Sequence, residues 1–150
     1  MKRREYHLRD RSEVEKELTE LQKKVTQQGV TEMPFKNAYF DNEQDGIYVD
    51  LYTGEPLFSS TDKYDAGCGW PSFTKPIAQD AVTQKADKSL FIERVEVQSR
   101  YGESHLGHVF DDGPQDQGGR RYCVNSAALR FIAFDKMEEY GYGAFKHLVK

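Results

Sequence analysis

Antiparallel sheets are predicted by the segment 108–134, which reads HVFDDGPQDQGGRRYCVNSAALRFIAF. Short apolar stretches alternate in it with glycine-containing turns, and no stretch has the length of a typical helix. We predict strands at 108–110, 121–125 and 129–134. Because short strands and turns follow one another without intervening helices, antiparallel pairing is expected rather than a repeating strand–helix–strand unit.

The same pattern extends towards the N-terminus. Strands are predicted at 47–52, 57–58 and 91–100, and the apolar residues of the last begin with Phe91. With the segments above, these strands predict a mainly β fold of the α+β class.

A helix is predicted before the strands. Residues 12–15 have the Ser-x-x-Glu form of a capping box, and Gly29 stands where the helix would end. One apolar stripe would comprise Val14, Leu18, Leu21 and Val25. We therefore predict a single domain over 1–150, with a helical extension at about 10–29 and a β core at about 46–135.

The composition excludes several classes of protein. Aromatic residues make up 13% of the 150 residues, and a disordered chain would lack them. The net charge of −4, without a basic stripe, disfavours nucleic-acid binding. No apolar run has the length of a membrane span or follows the pattern of a signal peptide. We expect an unexported, cytoplasmic protein that acts as a monomer.

Two cysteines, Cys68 and Cys123, occur in the chain. They are too few for a disulfide scaffold or for a zinc site of four thiolates, but they suffice for a thiol–disulfide catalyst. A structural disulfide is the alternative, since closing a loop of this length would stabilise the fold by about 4 kcal/mol. A reducing compartment argues against that alternative, because thiols persist there.

The first cysteine lies in the segment 67–73, GCGWPSF. Its flanking glycines allow a tight turn and would leave the thiol of Cys68 accessible. Trp70, the only tryptophan, follows two residues later. The alternative, which residue statistics favour, is a buried cysteine and a buried tryptophan in a corner of the core.

The segment 104–110, SHLGHVF, contains His105 and His108 as a His-x-x-His pair. The pair could hold a metal together with a third ligand, or it could act as acid and base. Each histidine alone is more often structural. Nearby, Asp112 lies in the sequence DDGP, where it either forms a turn or orients a histidine.

In the predicted strand at 121–125, three polar residues would share one face: Arg121, Cys123 and Asn125. The guanidinium would favour the thiolate form of the cysteine, which is the nucleophilic form. The alternative is a small buried cysteine at the edge of the core.

Together, the blocks 67–73, 100–114 and 121–131 resemble the most specific motifs of the methionine-R-sulfoxide reductase family (MsrB), and the likeness covers roughly 10–148. The resemblance implies two antiparallel sheets with helices at the N-terminal side. It also implies reduction of the R epimer of methionine sulfoxide in oxidised proteins or peptides, with thioredoxin as the reductant.

The resemblance implies a role for each cysteine. Cys123 would attack the sulfoxide sulfur and become a sulfenic acid, and Cys68 would condense with it to form a disulfide. The positions that match residues binding and polarising the sulfoxide oxygen are His105, His108 and Asn125.

Four further positions match the family. Trp70 and Phe110 match substrate-binding residues, and the indole of Trp70 would pack on the methyl group of the substrate. Asp112 and Arg121 match supporting residues that orient a histidine and favour the thiolate.

Many members of the family hold a structural zinc ion on two Cys-x-x-Cys pairs. The matching positions in this chain are Asp50, Thr53, Ser99 and Gly102. Because no thiol remains at these positions, we predict no zinc there and no other cofactor.

Two other functions stay open at this point. A metal enzyme could be built on His105, His108 and one thiol. A non-catalytic module could recognise oxidised methionine segments or a protein partner through an apolar pocket around Trp70.

Overall fold

Two antiparallel sheets form the body of the protein in a computed structural model that describes residues 11–88 and 93–149. The strands are β1 (Gly46–Asp50), β2 (Pro56–Ser59), β3 (Lys63–Tyr64), β4 (Ser72–Phe73), β5 (Val82–Asp87), β6 (Arg94–Ser99), β7 (His105–Phe110), β8 (Arg121–Val124) and β9 (Leu129–Ala133). One sheet has the order β2-β1-β9, and the other has the order β3-β4-β8-β7-β6-β5. The prediction of a mainly β fold with two antiparallel sheets is confirmed.

The sequence pattern missed some strands. β5 was not predicted because its central residues are polar and exposed, so it carries no alternation of apolar and polar positions. The strand predicted at 91–100 is β6, which begins at Arg94, and Phe91 lies outside the described residues.

Aromatic side chains from both sheets meet in the main core. The ring of Phe73 on β4 stacks on Phe58 of β2 at a centroid distance of 4.4 Å, and it meets the edge of Tyr48 of β1 at 5.3 Å. Tyr122 of β8 joins the same cluster. The aromatic composition therefore serves to hold the two sheets against each other.

The predicted N-terminal helix is two helices, α1 (Arg11–Glu15) and α2 (Glu20–Gln28), and residue 10 lies outside the described part of the chain. The break follows from a capping box at another place. The hydroxyl of Thr19 accepts the backbone N–H of Gln22, and the Gln22 side chain accepts the backbone N–H of Thr19. The prediction of a capping box at residues 12–15 was wrong, since that segment lies within α1.

The predicted apolar stripe is also interrupted. Val14 and Val25 are buried, whereas Leu21 is 46% exposed. Gly29 ends α2 as predicted, because it adopts the left-handed conformation (φ 73°) and its N–H donates to the carbonyl groups of Lys24 and Val25.

Short 3₁₀ helices complete the described structure, at Ser60–Asp62, Gln115–Gln117, Ser126–Ala128, Phe134–Lys136 and Gly143–Leu148. None of the helices in residues 11–88 and 93–149 has the length and hydropathy that a membrane span requires.

Two substitutions in α2 test the burial of its faces. Val25→Ala should lower the free energy of unfolding by about 2 kcal/mol, because the side chain is completely buried in the main core. Leu21→Ala should change it by less than about 1 kcal/mol, since that side chain stays half in water. Urea unfolding measures both, and equal losses would contradict the described orientation of α2.

Candidate active site

A row of polar side chains crosses the larger sheet. His108 on β7 pairs directly with Cys123 on β8, and Cys123 pairs with Ser72 on β4. On the other side of β7, His108 pairs with Glu96 on β6. Directly opposed residues point to the same face of a sheet, so the strand register alone places these four side chains side by side.

A β-bulge brings the second histidine to this face. In a regular strand, residues three positions apart point to opposite faces. The register shifts within β7, where Gln98 pairs with His105 and Val97 pairs with Gly107, so β7 has one extra residue between these two pairs. As a result His105 and His108 lie together, with their ring centroids 5.5 Å apart.

Each histidine is held by a carboxylate that the sequence analysis did not single out. Glu96 Oε2 lies 2.7 Å from His105 Nδ1, and Asp87 Oδ2 lies 2.8 Å from His108 Nε2. Arg94 also donates to Asp87, at 3.3 Å. Burial lowers the pKa of His108 despite the opposing effect of Asp87. Neither carboxylate belongs to a short motif, so only the pairing of the outer strands shows its role.

Asp112 does not contact a histidine in the structure, contrary to the expectation that it orients one. It accepts two hydrogen bonds from Arg121, at 2.9 and 3.2 Å. These bonds lower the pKa of Asp112. The guanidinium of Arg121 also lies 4.4 Å from the ring centroid of Phe110. Asp112 therefore fixes the cation that lies beside the thiols.

The two thiols are neighbours. Cys68 Sγ lies 3.6 Å from Cys123 Sγ and 3.3 Å from Ser72 Oγ. The hydrogen bond from Cys123 lowers the pKa of Cys68 to about 5, although partial burial opposes this. The same hydrogen bond, together with burial, raises the pKa of Cys123. The hydrogen bond between the two sulfurs therefore favours the thiolate form at Cys68. Arg121 lowers the pKa of both thiols, which agrees in direction with its expected effect on Cys123.

The turn around Cys68 requires glycine. Gly69 has a φ of 90°, which is strained for other residues. A Cβ atom at Gly69 would also lie 2.7 Å from the Cβ of Pro34 and 2.8 Å from the ring of Phe35. The loop before β1 thus packs directly against the turn that carries the thiol.

A pocket of about 280 Å³ opens beside the thiols. Seven of the sequence-predicted site residues line it: Cys68, Trp70, His108, Phe110, Arg121, Cys123 and Asn125. His105 and Asp112 do not line it. Thr31 and Arg94 do, and no sequence motif pointed to either of them.

Asn125 lies beyond the end of β8 rather than within a strand, at the start of the 3₁₀ helix Ser126–Ala128. Its Oδ1 accepts the backbone N–H of Glu32 at 3.0 Å, and its Nδ2 donates to the carbonyl of Leu106 at 2.9 Å. Because an amide nitrogen carries two hydrogens, one N–H remains for a ligand in the pocket.

The four positions that match the zinc site of relatives do not fit a zinc ion. Asp50 Oδ2 accepts the backbone N–H groups of Tyr52 and Thr53, at 2.8 and 3.1 Å. A Cβ at Gly102 would lie 2.7 Å from that oxygen, and glycine has no side chain to offer a metal. The Glu55 carboxylate also accepts the backbone N–H of Gly102, at 2.8 Å. Backbone N–H groups thus occupy Asp50 Oδ2 and the Glu55 carboxylate, and none of the four positions carries the thiolate that a structural zinc site would need.

A comparison with models of protein families finds a match for this chain. The family model of the SelR domain matches residues 18–133, which is more than half of the chain. The match includes both cysteines and the whole row of polar residues described above. Within the described residues, no three His, Cys, Asp or Glu side chains are grouped to hold a metal ion.

The thiol pair makes a prediction about pH. Alkylation of Cys68 by iodoacetamide should follow a midpoint near pH 5 and level off above it, because the thiolate is the reactive form. In Cys123→Ala the hydrogen-bond donor is lost, and the midpoint should rise towards the ordinary thiol value of about 8.5. Cys123→Ser, which restores a donor, should give a lower midpoint than Cys123→Ala. Rates read by mass spectrometry decide this, and one midpoint in all three proteins would refute the described pair.

The zinc-site corner makes a second prediction. The purified protein should contain no stoichiometric zinc by elemental analysis, because Asp50 and Glu55 are already bonded to backbone N–H groups. A strong chelator should leave the midpoint of thermal unfolding unchanged. One zinc ion per chain, whose removal lowers that midpoint, would be the opposite result.

Proposed function

The chain belongs to the SelR domain family, the MsrB methionine-R-sulfoxide reductases, and from this premise we propose that it reduces the R epimer of methionine sulfoxide in oxidised proteins and peptides. The supporting observation is the pair of thiols, 3.6 Å apart, on the wall of a pocket that also presents an indole ring. We further propose a monomeric enzyme acting in the cytoplasm, where thioredoxin keeps thiols reduced.

In the first step the Cys123 sulfur attacks the sulfoxide sulfur. Its proton passes beforehand to the thiolate of Cys68, across the 3.6 Å between the two sulfurs. A thiol and a sulfoxide give a sulfenic acid and a thioether, so Cys123 is oxidised by two electrons and the substrate sulfur is reduced by two. The sulfoxide oxygen, with a proton, stays on Cys123 as the S–OH group.

In the second step Cys68 attacks the sulfenic acid sulfur of Cys123. An S–S bond forms, the S–O bond breaks, and the oxygen leaves as water with the proton of the attacking thiol. A dithiol such as thioredoxin then reduces the disulfide by exchange. Cys68 is suited to this step because its sulfur lies within contact distance of Cys123 Sγ.

Residues around the pocket stabilise the developing charge. The free N–H of Asn125 donates to the sulfoxide oxygen, and the His108–Asp87 pair supplies and stabilises a proton near that oxygen. Attack at sulfur gives the substrate methyl group a partial positive charge, which the face of Trp70 attracts. Arg121 favours the thiolate at either sulfur. His105 and Glu96 act indirectly, from outside the pocket lining. Glu96 bonds His105, and the ring of His105 holds the neighbouring imidazole of His108 in place.

A single-turnover assay tests the function. Separated R and S epimers of blocked methionine sulfoxide are incubated with the reduced protein without a reductant, and free thiols are counted. We expect about one R epimer consumed per chain and two thiols lost. Consumption of the S epimer alone would contradict the stereochemistry, and no consumption of either would contradict the function.

Cysteine variants separate the two steps. Cys123→Ser should abolish sulfoxide reduction, because the attacking sulfur is gone. Cys68→Ser should still reduce one sulfoxide per chain but should recycle slowly with thioredoxin, since the sulfenic acid has no neighbouring thiol. Trapping of the sulfenic acid by dimedone, detected by mass, should occur in Cys68→Ser only. Multiple turnovers by Cys123→Ser would disprove the assignment.

A further inference from the structure

Glu32 is a buried carboxylate in the loop between α2 and β1, and it is only 4% exposed. Its side-chain oxygens accept the backbone N–H groups of Ser126 and Ala127, the latter at 2.9 Å. These two residues begin the 3₁₀ helix that directly follows the strand of Cys123. N–H groups at the start of a helix have no partner within it, so the carboxylate satisfies them and ties that segment to the loop.

The main chain of Glu32 contacts two pocket residues as well. Its N–H donates to Asn125 Oδ1 at 3.0 Å, and its carbonyl accepts the indole N–H of Trp70 at 3.0 Å. The first bond requires that the Asn125 oxygen face Glu32, which turns Nδ2 towards Leu106 and the pocket. The second bond fixes the edge of the indole ring. One residue therefore sets the orientation of both groups.

Resting on the proposed function, we propose that Glu32 is a positioning residue for the reductase reaction, acting through Asn125 and Trp70. Its carboxylate holds the loop against the Ser126–Ala128 segment, and its main chain then presents one acceptor to the indole and one donor to the amide. No atom of Glu32 lines the pocket with the thiols. Its effect on the rate is thus indirect, through the geometry of the two groups that face the substrate.

The charge of Glu32 supports a role beyond stability. Burial raises its pKa to about 7, although the two N–H groups oppose this rise. The folded protein therefore binds this proton more tightly than the unfolded chain does. The stability that this group contributes falls as the pH rises from the ordinary carboxyl range towards 7. At pH 8 the Glu32 side chain is ionised, and this buried charge lowers the stability of the fold. Only the ionised carboxylate offers an acceptor to both N–H groups.

A double-mutant cycle tests the proposal, with Glu32→Gln, Asn125→Ala and the double variant assayed at pH 8 on blocked methionine sulfoxide. The glutamine keeps the shape but offers one acceptor in place of two. Glu32→Gln should lower kcat by about tenfold to a hundredfold in the wild-type background. In the Asn125→Ala background the same substitution should lower kcat less, because one of the two groups that Glu32 positions is already absent. Glu20→Gln, at a side chain 78% exposed on α2, is the matched control and should match the wild type.

Trp70 gives a readout independent of turnover. As the only tryptophan, its fluorescence reports the indole directly, and the emission should shift to longer wavelength in Glu32→Gln but not in Glu20→Gln. The iodoacetamide midpoint of Cys68 should stay unchanged, since Glu32 does not touch the thiols. Urea unfolding at pH 8 should show a fully folded Glu32→Gln protein at the assay temperature.

The outcomes separate the hypotheses. The positioning role would be overturned if Glu32→Gln had the wild-type kcat, or if its loss of kcat matched the unfolded fraction. Equal losses in both Asn125 backgrounds would overturn the action of Glu32 through Asn125. If Glu32→Gln does not fold, Glu32→Asp serves instead, and the same cycle applies because its shorter carboxylate retains the charge. A wild-type protein that reduces no sulfoxide would overturn the proposed function, and this inference with it.

Discussion

The register of β7 against β8 places His108 opposite Cys123, and the rest of the site is arranged about that pair. A slip of one residue would turn the thiol into the core and Tyr122 out of it. The aromatic cluster of Tyr48, Phe58 and Phe73 opposes such a slip, because Tyr122 fills the cluster from the same strand. The packing that joins the two sheets therefore also fixes the chemistry on the outer face.

Electrostatic pairing determines how the outer strands contribute. Buried imidazoles and thiols need partners, because an unpaired polar group away from water is costly. β5 and β6 provide them, with Asp87 and Glu96 each bonded to one histidine. On β8 itself, Arg121, which Asp112 holds in place, provides the cation. The two thiols thus lie between the histidine–carboxylate pairs on one side and the guanidinium group of Arg121 on the other.

The loop before β1 closes the pocket from the opposite direction. It packs on the Gly67–Trp70 turn, where Gly69 leaves room for Pro34 and Phe35, and its Glu32 bonds the segment after Cys123. The same loop therefore contacts both of the segments that carry a thiol and holds them together. This clamping explains how two cysteines far apart in sequence lie within contact distance of each other.

The sequence by itself determined the strands with clear alternation or turn signals, the antiparallel fold class, the two thiols and the family. The role of Gly29 at the end of α2 was also predictable, because the local conformation of a helix end is encoded in neighbouring residues. Periodicity gives the face of a residue but carries no register between strands. For that reason only the tertiary structure decided that Asp87 holds His108.

Other predictions from the sequence were wrong because a local pattern does not show the contacts made in the fold. A bulge turns the side chain of His105 to the same face of the sheet as His108. A cap at Thr19 divides the predicted first helix in two, and Asn125 lies outside its predicted strand. The pKa of Cys68 is lowered chiefly by the hydrogen bond from Cys123, a residue distant in the chain, and the nearby Ser72 adds to this effect. Contacts between residues distant in the chain decide orientation, protonation and partner, since these depend on three-dimensional proximity that no local pattern encodes.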